Sequence, residues 1–496
     1  MRRYLAIDLG AESGRGVVGD FDGERIALRT CHRFANVPVR LPDGLHWNAV
    51  GIFQSVEEAL GRAPGGVASV GVDSWAVDFG LIDADGGLLG TPFHYRDERT
   101  AAGVEKALSR VPAREIYEAT GIQFIPINTL YQLLAMEGSS ALAAAKTLLM
   151  IPDLIAYWLT GERASEVTVA STTQLYDPRA GSWALELAER LGVPTAILPE
   201  LRGAGTTLAP LRPDVAERAA LGSPPRVVTV AAHDTASAVA AVPAAGADFA
   251  YISSGTWSLV GVELEAPLID AAAMEANFSN EQGLAGTTRF LRNVMGLWLV
   301  QECRRAWERE GRRYAYDDLV RLAEEAEPGG PLIDPDAPGL LRPGDMPERI
   351  AALCARGGRE LRGDPGALVR CVLESLACQY RLVVDQAEAL TGRRADTIHV
   401  VGGGARNGLL CQLTADVCGR PVLAGPFEAT ALGNLMVQAL ADSEVSSPAE
   451  IRAVVRRSSE IRTHEPGGDG RGGEIFARFR ELVADQRSSA GVGVRT

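Results

Sequence analysis

Residues 7–13 read Ile-Asp-Leu-Gly-Ala-Glu-Ser, and residues 252–258 read Ile-Ser-Ser-Gly-Thr-Trp-Ser. Each stretch follows an apolar run, turns on a glycine at the same place (Gly10 and Gly255) and continues into a second apolar run. This pattern predicts a strand, a tight turn and another strand. Because the two copies lie about 245 residues apart, which is one domain length, they predict a duplicated domain.

The length of the chain agrees with two domains. Its 496 residues exceed what one hydrophobic core usually holds. The small-residue stretch at 243–248 predicts the boundary, with an N-terminal domain at 1–245 and a C-terminal domain at 246–455. Residues 456–496 are expected to form a tail that carries a short helix at 474–484.

Local patterns predict the elements around the repeated stretches. An apolar strand is expected at 3–9 and a hairpin at 15–34. Helical patterns cover 130–160 and 366–391. Strand and helix patterns alternate along the chain, which predicts an α/β architecture with mixed sheets.

The bulk composition limits the partners and the compartment. A net charge of −14 argues against nucleic acid or an anionic membrane surface as the main partner. The seven cysteines are scattered without a Cys-x-x-Cys pair, which indicates free thiols in a reducing compartment. No signal-peptide core precedes Asp8 and no apolar run has membrane-spanning length, so a cytoplasmic protein is expected. Both a monomer and a small homo-oligomer are compatible with the sequence.

The lysines exclude two large classes of phosphotransferase. The chain has only Lys106 and Lys146, and neither lies in a glycine-rich loop. A P-loop NTPase needs the Lys of G-x-x-x-x-G-K-[ST], and a protein kinase needs a strand Lys. A phosphate site here must therefore use backbone amides, hydroxyls, arginine and metal.

The first glycine turn has the composition of such a phosphate site. Gly10 and Gly14 allow close approach to the backbone, Ser13 adds a hydroxyl, and Arg15 adds a fork that suits a phosphate. Asp8 at the end of the strand is a candidate to orient Mg²⁺ through water. The alternative is an ordinary glycine hairpin within a sheet.

The second turn, residues 253–256, has the same chemistry without the charge. Two such turns in duplicated domains predict a polyphosphate clamp. A third glycine-rich stretch, 399–407, leads from a strand into a helix and can lie against a nucleotide. Gly402, Gly404 and the following Gly408 give the spacing G-x-G-x-x-x-G, which does not match the dinucleotide fingerprint.

A candidate general base follows the strand predicted at 227–232. His233, Asp234 and Thr235 come directly after it, and the carboxyl ends of strands face the ligand crevice in open α/β sheets. Asp234 can accept a proton from an attacking hydroxyl. The alternative is that Asp234 is the N-cap of a helix that begins at Thr235. His233 is interpreted as a structural hydrogen-bonding residue rather than as a base.

Polar residues in apolar surroundings indicate a sugar pocket. They lie at 73–78, 94–97, Gln123, Asn128 and Asn293. Sugars are bound by an aromatic face together with several groups directed at hydroxyls. The aromatic residues at 75 and 79 are equally compatible with a hydrophobic core.

Taken together, these segments resemble the FGGY family of carbohydrate kinases from Asp8 to about residue 440. The matching blocks are 8–15, 95–100, 128–133, 151–154, 159–161, 233–238, 254–259, 293–298, 401–404 and 428–434. The first turn and the glycine triplet are shared across the family. The blocks at 128–133, 233–238 and 293–298 resemble the members that phosphorylate L-rhamnulose.

The resemblance implies an actin-like pair of ribonuclease H-like domains with an interdomain cleft for ATP and sugar. It implies transfer of phosphate from ATP to the 1-hydroxyl of L-rhamnulose, with Mg²⁺. Asp234 matches the proton acceptor. The residues that match ATP contacts are Ala11, Glu12, Ser13, Gly14, Arg15, Thr256, Gln301 and Gly403. The residues that match sugar contacts are His233, Asp234, Thr235 and Asn293.

One position departs from the family pattern. Where the family has glycine after Asp-[Thr/Ser]-Trp, this chain has Ala76, and the family's glycine there touches the sugar. The methyl group bears on the identity of the sugar and leaves the kinase chemistry intact. Two alternatives stand beside an L-rhamnulose kinase. One is a related kinase for L-fuculose or D-xylulose, and the other is an actin-like ATP-binding protein without kinase activity.

Overall fold

The computed structural model describes residues 1–361, 364–468 and 470–490, with side chains described as far as residue 485. The predicted tail is therefore covered in part. Residues 469 and 491–496 of that tail lie outside the described residues.

The strands are numbered in chain order. They are β1 (Arg2–Leu9), β2 (Ser13–Phe21), β3 (Ile26–Ala35), β4 (Val39–Leu41), β5 (Gly44–His46), β6 (Ser69–Ser74), β7 (Phe79–Ile82), β8 (Thr147–Met150), β9 (Ala164–Glu166), β10 (Tyr176–Asp177), β11 (Ser182–Trp183), β12 (Glu200–Arg202), β13 (Thr206–Pro210), β14 (Arg226–Thr229), β15 (Phe249–Ser254), β16 (Trp257–Leu264), β17 (Ser279–Gln282), β18 (Thr288–Met295), β19 (Thr397–Val401), β20 (Val422–Ala424) and β21 (Arg462–His464).

The α-helices are numbered in the same way. They are α1 (Ala49–Arg62), α2 (Thr100–Arg110), α3 (Ala113–Thr120), α4 (Thr129–Ala135), α5 (Ser140–Ala144), α6 (Ile151–Thr160), α7 (Val167–Ala170), α8 (Leu185–Leu191), α9 (Pro213–Arg218), α10 (Asp234–Ala240), α11 (Ala271–Glu275), α12 (Trp298–Arg309), α13 (Tyr316–Glu325), α14 (Met346–Arg356), α15 (Pro365–Thr391), α16 (Gly408–Cys418), α17 (Ala429–Ala441), α18 (Pro448–Ser458) and α19 (Arg471–Ala490).

Two large sheets repeat one strand order. In the first sheet, β13-β14-β6-β1-β2-β3, strand β1 pairs antiparallel with β2 and parallel with β6, and β6 pairs parallel with β14. In the second, β17-β18-β16-β15-β19-β20-β21, strand β15 pairs antiparallel with β16 and parallel with β19, and β19 pairs parallel with β20. The two glycine turns join β1 to β2 and β15 to β16. The repeated order confirms the predicted duplication.

The chain divides into two compact units, and each takes three separate segments. The first unit contains Met1–Ala245, Glu263–Phe290 and Glu428–Ser459. The remaining segments, 246–262, 291–427 and 460–496, form the second unit. The limits 1–245, 246–455 and 456–496, which assume one continuous segment for each domain, stay a prediction.

In the first unit, α17 covers the sheet that carries β1 and β6. Gln438 donates from Nε2 to the carbonyl of Leu5 (2.9 Å) and accepts from the Ser69 hydroxyl (2.7 Å). Gly433 lies where a Cβ would be 1.8 Å from the carbonyl oxygen of Ser237 on α10, so α10 and α17 pack backbone to backbone. This close contact fixes the start of α10 beside the central strands.

One local prediction was wrong. The stretch 130–160 has a helical pattern, but it contains β8 between α5 and α6. All four residues of β8 are buried, and the strand pairs antiparallel with the equally buried β7. A short apolar run cannot be assigned to helix or strand by periodicity alone, and here the pairing partner decides.

In the described part of the chain, no helix combines the length and the apolar character that crossing a bilayer requires.

Candidate active site

Three carboxylates of the first unit lie at or just beyond the carboxyl ends of adjacent strands. Asp8 on β1 is paired in register with Asp73 on the parallel strand β6. On its other side, Asp8 faces Arg15 on β2. Asp234 follows β14, and the chain before it is tied to β6 because Ser74 donates its N–H to the carbonyl of Ala232 at 2.9 Å. The parallel topology therefore gathers these groups at one edge of the sheet.

Arg15 is held between two carboxylates. Its Nε and Nη2 both donate to Oδ2 of Asp8, at 2.9 and 2.7 Å, and its Nη1 donates to Glu428. The predicted phosphate fork and the predicted metal-orienting carboxylate are thus bonded to each other. Arg15 compensates part of the negative charge that accumulates at this edge.

Asp73 is fully buried and only partly satisfied. Asn434 on α17 donates to its Oδ2 at 2.6 Å, while its Oδ1 has no hydrogen-bond partner among the described residues. Burial raises the pKa of Asp73 well above its ordinary value, and the neighbouring Asp8 raises it further. An unpaired buried carboxylate oxygen next to a second carboxylate suits a bound cation or water.

Asp234 is not the helix N-cap. It is the first residue of α10, and the cap position belongs to His233. The N–H groups of Ala236 and Ser237, which a capping side chain would bind, donate instead to the carbonyl of His233 at 2.7 and 3.1 Å. The cap alternative is therefore wrong, and the carboxylate is available for another role.

The surroundings of Asp234 suit a base. Its side chain is 31% exposed, so a ligand can reach it. Burial raises the pKa of Asp234, His233 opposes this rise, and Asp8 adds to it. The hydroxyl of the predicted sugar contact Thr235 donates to Oδ1 at 3.2 Å. A reachable carboxylate with a raised pKa can accept a proton from a hydroxyl.

A buried glutamate holds the turn that carries Asp234. Oε2 of Glu166 accepts from the N–H of Ala232 at 3.0 Å and from the hydroxyl of Thr168 at 2.5 Å. The same Thr168 oxygen accepts the N–H of His233 at 3.2 Å. Burial raises the pKa of Glu166 to about 7, against the effect of these donors. Glu166 on β9 thus fixes the start of α10 in addition to the packing of α17.

His233 lies between two acidic groups and a buried arginine. Its Nε2 is 3.4 Å from Oδ1 of Asp234. Its Nδ1 is 3.1 Å from Nη2 of Arg289 and 3.3 Å from Oε2 of Glu281. Arg289 has no exposed surface and pairs with Glu281 at 3.0 Å. The predicted structural role of His233 agrees with these contacts.

The segment with the predicted sugar contact Ala76 contains a strained turn. Asp78 donates its N–H to the carbonyl of Ala76 at 2.9 Å around Val77, whose φ is 67°. This is the rarer form of γ-turn, and a positive φ is unusual for a β-branched residue. Thr129 and Gln132 donate to the carbonyl of Val77 at 2.7 and 3.2 Å and hold the turn in place.

Asp78 organises the aromatic residues beside that turn. Its carboxylate accepts from the indole nitrogens of Trp47 and Trp75, at 2.5 and 3.0 Å, and from Gln132 at 2.8 Å. The Trp47 and Trp75 rings lie 4.1 Å apart. Burial raises the pKa of Asp78 to about 7. Trp75 is buried as a core residue would be, and its indole is fixed in orientation.

The first glycine turn is held by hydrogen bonds from Asn36. Asn36 donates from Nδ2 to the carbonyl of Gly10 at 3.0 Å, and its N–H donates to the carbonyl of Glu12 at 2.9 Å. At Gly14, the ring of Phe34 fills the space that a Cβ would take, with Cζ 2.2 Å away. Gly14 is therefore required by packing within the sheet. Ala11, Glu12 and Ser13 are half-buried.

The second unit gathers the other predicted nucleotide contacts around its own turn. The carbonyl of Thr256 accepts the N–H of Trp298 at 3.2 Å, so α12, which carries Gln301, begins on this turn. A Cβ at Gly404 would lie 2.0 Å from Oγ of Ser254, so the glycine triplet packs on the same turn. Thr256, Gln301 and Gly403 are thus brought to one region.

Two details of this region favour a ligand. Gly403 is exposed, and a Cβ there would have nothing within 4 Å. Oε1 of Gln301 is buried without a hydrogen-bond partner among the described residues. Asn293, the last predicted sugar contact, is half-buried on β18 and belongs to the second unit, whereas Ala76, His233, Asp234 and Thr235 belong to the first.

Nothing in the sequence singles out Glu166, Glu281 or Arg289. They lie in no recognisable motif, and the only available signal is that charged residues interrupt apolar runs. Their partners at 232–233 are 48 to 66 residues away along the chain. Only the folded structure assembles this network.

Most of the chain matches one family. The profile described as "FGGY family of carbohydrate kinases, N-terminal domain" matches residues 3–241, and the corresponding C-terminal domain matches residues 250–441.

Curated relatives match over nearly their full length. A rhamnulokinase of Bacteroides thetaiotaomicron is 39% identical over 97% of this chain and 99% of its own. A rhamnulokinase of Bacillus subtilis is 38% identical over 97% of this chain and 98% of its own. One from Enterococcus faecalis is 39% identical over 92% and 93%.

Solved structures are similar in fold. A ligand-bound xylulose kinase from Lactobacillus acidophilus gives a TM-score of 0.79 at 17% identity, covering 100% of this chain and 99% of its own. The glycerol kinase of Plasmodium falciparum with ADP gives 0.76 at 15% identity, covering 98% of each chain. With the repeated sheets, this similarity confirms the predicted actin-like fold of two ribonuclease H-like domains.

Proposed function

The chain belongs to the FGGY family of carbohydrate kinases, and on this basis we propose that it transfers the γ-phosphoryl group of ATP to the 1-hydroxyl of L-rhamnulose. The products are L-rhamnulose 1-phosphate and ADP. The sugar is supported by the near full-length similarity to curated rhamnulokinases. The observation that carries the chemistry is the reachable carboxylate of Asp234, which is released from the capping role.

Asp234 is the proposed general base. It accepts the proton of the 1-hydroxyl as the sugar oxygen attacks the γ-phosphorus and the bond to the ADP oxygen breaks. A base in this position typically contributes about 10²–10⁴-fold to the rate. Thr235 and His233 hold the carboxylate and are proposed to contact the sugar together with Ala76 and Asn293.

The proposed ATP contacts are Thr256, Gln301 and Gly403 in the second unit and residues 11–15 in the first. The open backbone at Gly403 supports close approach of a nucleotide, because no side chain occupies that space. The unpaired Oε1 of Gln301 supports a hydrogen bond to the nucleotide, because a buried acceptor is rarely left without a donor.

Asp8 is the proposed carboxylate for Mg²⁺, and Asp73 beside it offers an unpaired oxygen. Within the described residues, no three acidic, histidine or cysteine side chains form a ready cage for a metal. A magnesium ion of this kind is typically held by one or two carboxylates, water and the phosphates of ATP. When bound, Mg²⁺ neutralises charge on the transferring phosphoryl group.

The cysteines support the proposed cytoplasmic location. All seven lie in the described residues and are free thiols, as is usual in a reducing compartment.

A substrate panel tests the proposal. ADP release is measured with L-rhamnulose, L-fuculose and D-xylulose, for the wild type and for Asp234→Asn. L-rhamnulose should give the highest kcat/KM, and Asp234→Asn should bind the sugar and lose about 10²–10⁴-fold in kcat. Higher kcat/KM on another sugar would overturn the substrate, and near-normal rates for Asp234→Asn would overturn the base.

Asp214→Asn is the matched control, because Asp214 also lies in the first turn of a helix, α9, and is exposed. It should keep wild-type kcat. Ala76→Gly restores the residue typical of the family. If the Ala76 methyl group selects among sugars, this variant changes the ratio of kcat/KM values across the panel without abolishing turnover.

A further inference from the structure

We propose that Arg289 is a positioning residue that fixes the tautomer of His233, so that the ring proton lies on Nε2, the nitrogen that faces Asp234. The inference rests on the proposed function, in which Asp234 is the base. It assigns a role to a buried arginine that lies outside the family motifs of the sequence.

Arg289 is locked in place. Its side chain has no exposed surface, its Nε donates to the carbonyl of Gln282 at 3.0 Å, and its Nη1 pairs with Glu281 at 3.0 Å. Its Nη2 lies 3.1 Å from Nδ1 of His233 with hydrogen-bond geometry. A buried guanidinium with three such contacts has little freedom to turn away from the imidazole.

The chemistry of arginine then decides the tautomer. A guanidinium stays protonated and has donors but no acceptor. An N–H of Arg289 directed at Nδ1 therefore requires a lone pair on Nδ1. In neutral imidazole one nitrogen is the acceptor and the other carries the proton. The proton of His233 must accordingly lie on Nε2.

Among the described residues, Glu281 is the neighbour of His233 that favours the other tautomer. Its Oε2 is 3.3 Å from Nδ1 and can accept a proton placed there. That proton would face the N–H of Arg289 at 3.1 Å, and two donors would then point at each other. Because Oε2 is also the atom paired with Arg289 at 3.0 Å, the role of Glu281 is to neutralise the arginine.

The tautomer has a consequence for the base. Nε2 of His233 lies 3.4 Å from Oδ1 of Asp234, and Thr235 donates to the same oxygen at 3.2 Å. Both of these side-chain contacts involve Oδ1, and the backbone N–H of Thr235 also donates to the carboxylate. The carboxylate of Asp234 remains the group that accepts the proton of the sugar hydroxyl.

The charges around His233 also decide which group takes that proton. The groups that face its ring are Asp234, Glu281 and Arg289. The two carboxylates favour an imidazolium, but the proton would have to enter at Nδ1, where the arginine already donates. The sugar proton therefore goes to Asp234 rather than to His233.

Nitrogen NMR on the wild type gives a direct test. The chain has six histidines, so protein labelled with ¹⁵N in the imidazole ring gives few signals, and His233→Gln identifies the one from His233. The expected signal is a neutral ring protonated at Nε2. A ring protonated at Nδ1, or an imidazolium at neutral pH, would overturn the inference.

Two variants test the consequence. Arg289→Lys keeps a donor near Nδ1, whereas Arg289→Met keeps the length and loses the donor. We expect Arg289→Met to lower kcat by roughly tenfold or more, to change the sugar KM less, and to move the acid limb of kcat/KM to higher pH, because the N–H of His233 is no longer fixed towards Asp234. Arg289→Lys should recover part of each effect.

Equal effects of the two variants, or an unchanged acid limb in Arg289→Met, would contradict the positioning role. Arg370→Met is the control, since it also strips an arginine from a fully buried glutamate, Glu374, on α15 of the second unit. It should leave the acid limb unchanged. The NMR measurement needs no substrate. A ring protonated at Nδ1 together with normal turnover of L-rhamnulose would therefore overturn this inference and leave the proposed function standing.

Discussion

Asp234 is expected to set the acid limb of the pH profile of kcat/KM. Burial raises the pKa of its carboxyl, so the group keeps its proton to a higher pH than a free aspartate, whose pKa is about 3.9. Only the ionised carboxylate can accept the sugar proton. We therefore expect kcat/KM for the sugar to fall as the pH drops through this raised pKa.

The measurement is kcat/KM for L-rhamnulose at saturating ATP across the acid range. Parallel unfolding curves at each pH separate loss of the base from loss of the fold. An acid limb at or below the pKa of a free aspartate would show that Asp234 is not desolvated as the structure implies.

Glu166 gives a prediction about stability. Burial raises its pKa from 4.5 to about 7, so the folded state binds more protons than the unfolded state between these values. The stability that Glu166 contributes is therefore present below about pH 4.5 and is lost as the pH rises through about 7. The expected slope is about 1.4 kcal/mol of unfolding free energy per pH unit for one such group.

Glu166→Gln tests this directly, because the amide oxygen can still accept from Ala232 and Thr168 while the titration is removed. Urea unfolding of the variant should show a smaller decrease in stability between pH 5 and pH 7 than the wild type. The exposed Glu162→Gln should follow the wild type. Identical pH slopes in Glu166→Gln and the wild type would refute the prediction.

At the scale of elements, two adjacent glycines in the turn after β19 should respond differently to one methyl group. A Cβ at Gly404 would lie 2.0 Å from Oγ and 2.6 Å from Cβ of Ser254, so Gly404→Ala should destabilise the chain by about 1–3 kcal/mol. Gly403 has nothing within 4 Å, so Gly403→Ala should keep the wild-type Tm.

If Gly403 contacts ATP, as proposed, the Gly403→Ala variant should raise KM for ATP and leave KM for the sugar unchanged. Thermal unfolding and steady-state kinetics on the pair provide the measurement. A Tm loss in Gly403→Ala as large as that in Gly404→Ala would mean that the turn packs differently from the structure.

The elements that the sequence predicts correctly are those whose signal is local. The run at 3–9 becomes β1 (Arg2–Leu9), and the glycine turns mark both hairpins. The strand β8 is missed because its identity depends on pairing with β7, about 65 residues earlier. The role of Asp234 could not be decided from the local sequence either. An N-cap residue and the first residue of a helix are adjacent positions, and they are told apart by which groups accept the first N–H groups of the helix.

The residues that support His233 and Asp234 could not be predicted from the sequence for the same reason. Glu166, Glu281 and Arg289 come from β9, β17 and β18, and each is unremarkable among its own neighbours. They acquire a role only because the fold brings them to 232–234. Motifs therefore predicted the residues proposed to touch the ligands, whereas those that hold them required the tertiary structure.

For the whole molecule, the discontinuous units predict that residues 1–245 do not fold alone. The first unit also needs Glu263–Phe290 and Glu428–Ser459. Without α17, the fragment loses the hydrogen bond from Gln438 to the carbonyl of Leu5 and the hydrogen bond from Asn434 to Asp73. It also exposes the face of the sheet that α17 covers. An unpaired buried polar group costs about 1–3 kcal/mol, and the exposed apolar surface costs more.

The fragment 1–245 should therefore be aggregated or molten, as measured by near-UV circular dichroism and gel filtration, and it should not bind the sugar. The matched control is the full chain with a short Gly-Ser insertion between Ala245 and Gly246, which are both exposed. This variant keeps every segment of the first unit and should fold with wild-type turnover. A compact, sugar-binding fragment would mean that the segment 1–245 is a complete domain and that α17 adds little to its core.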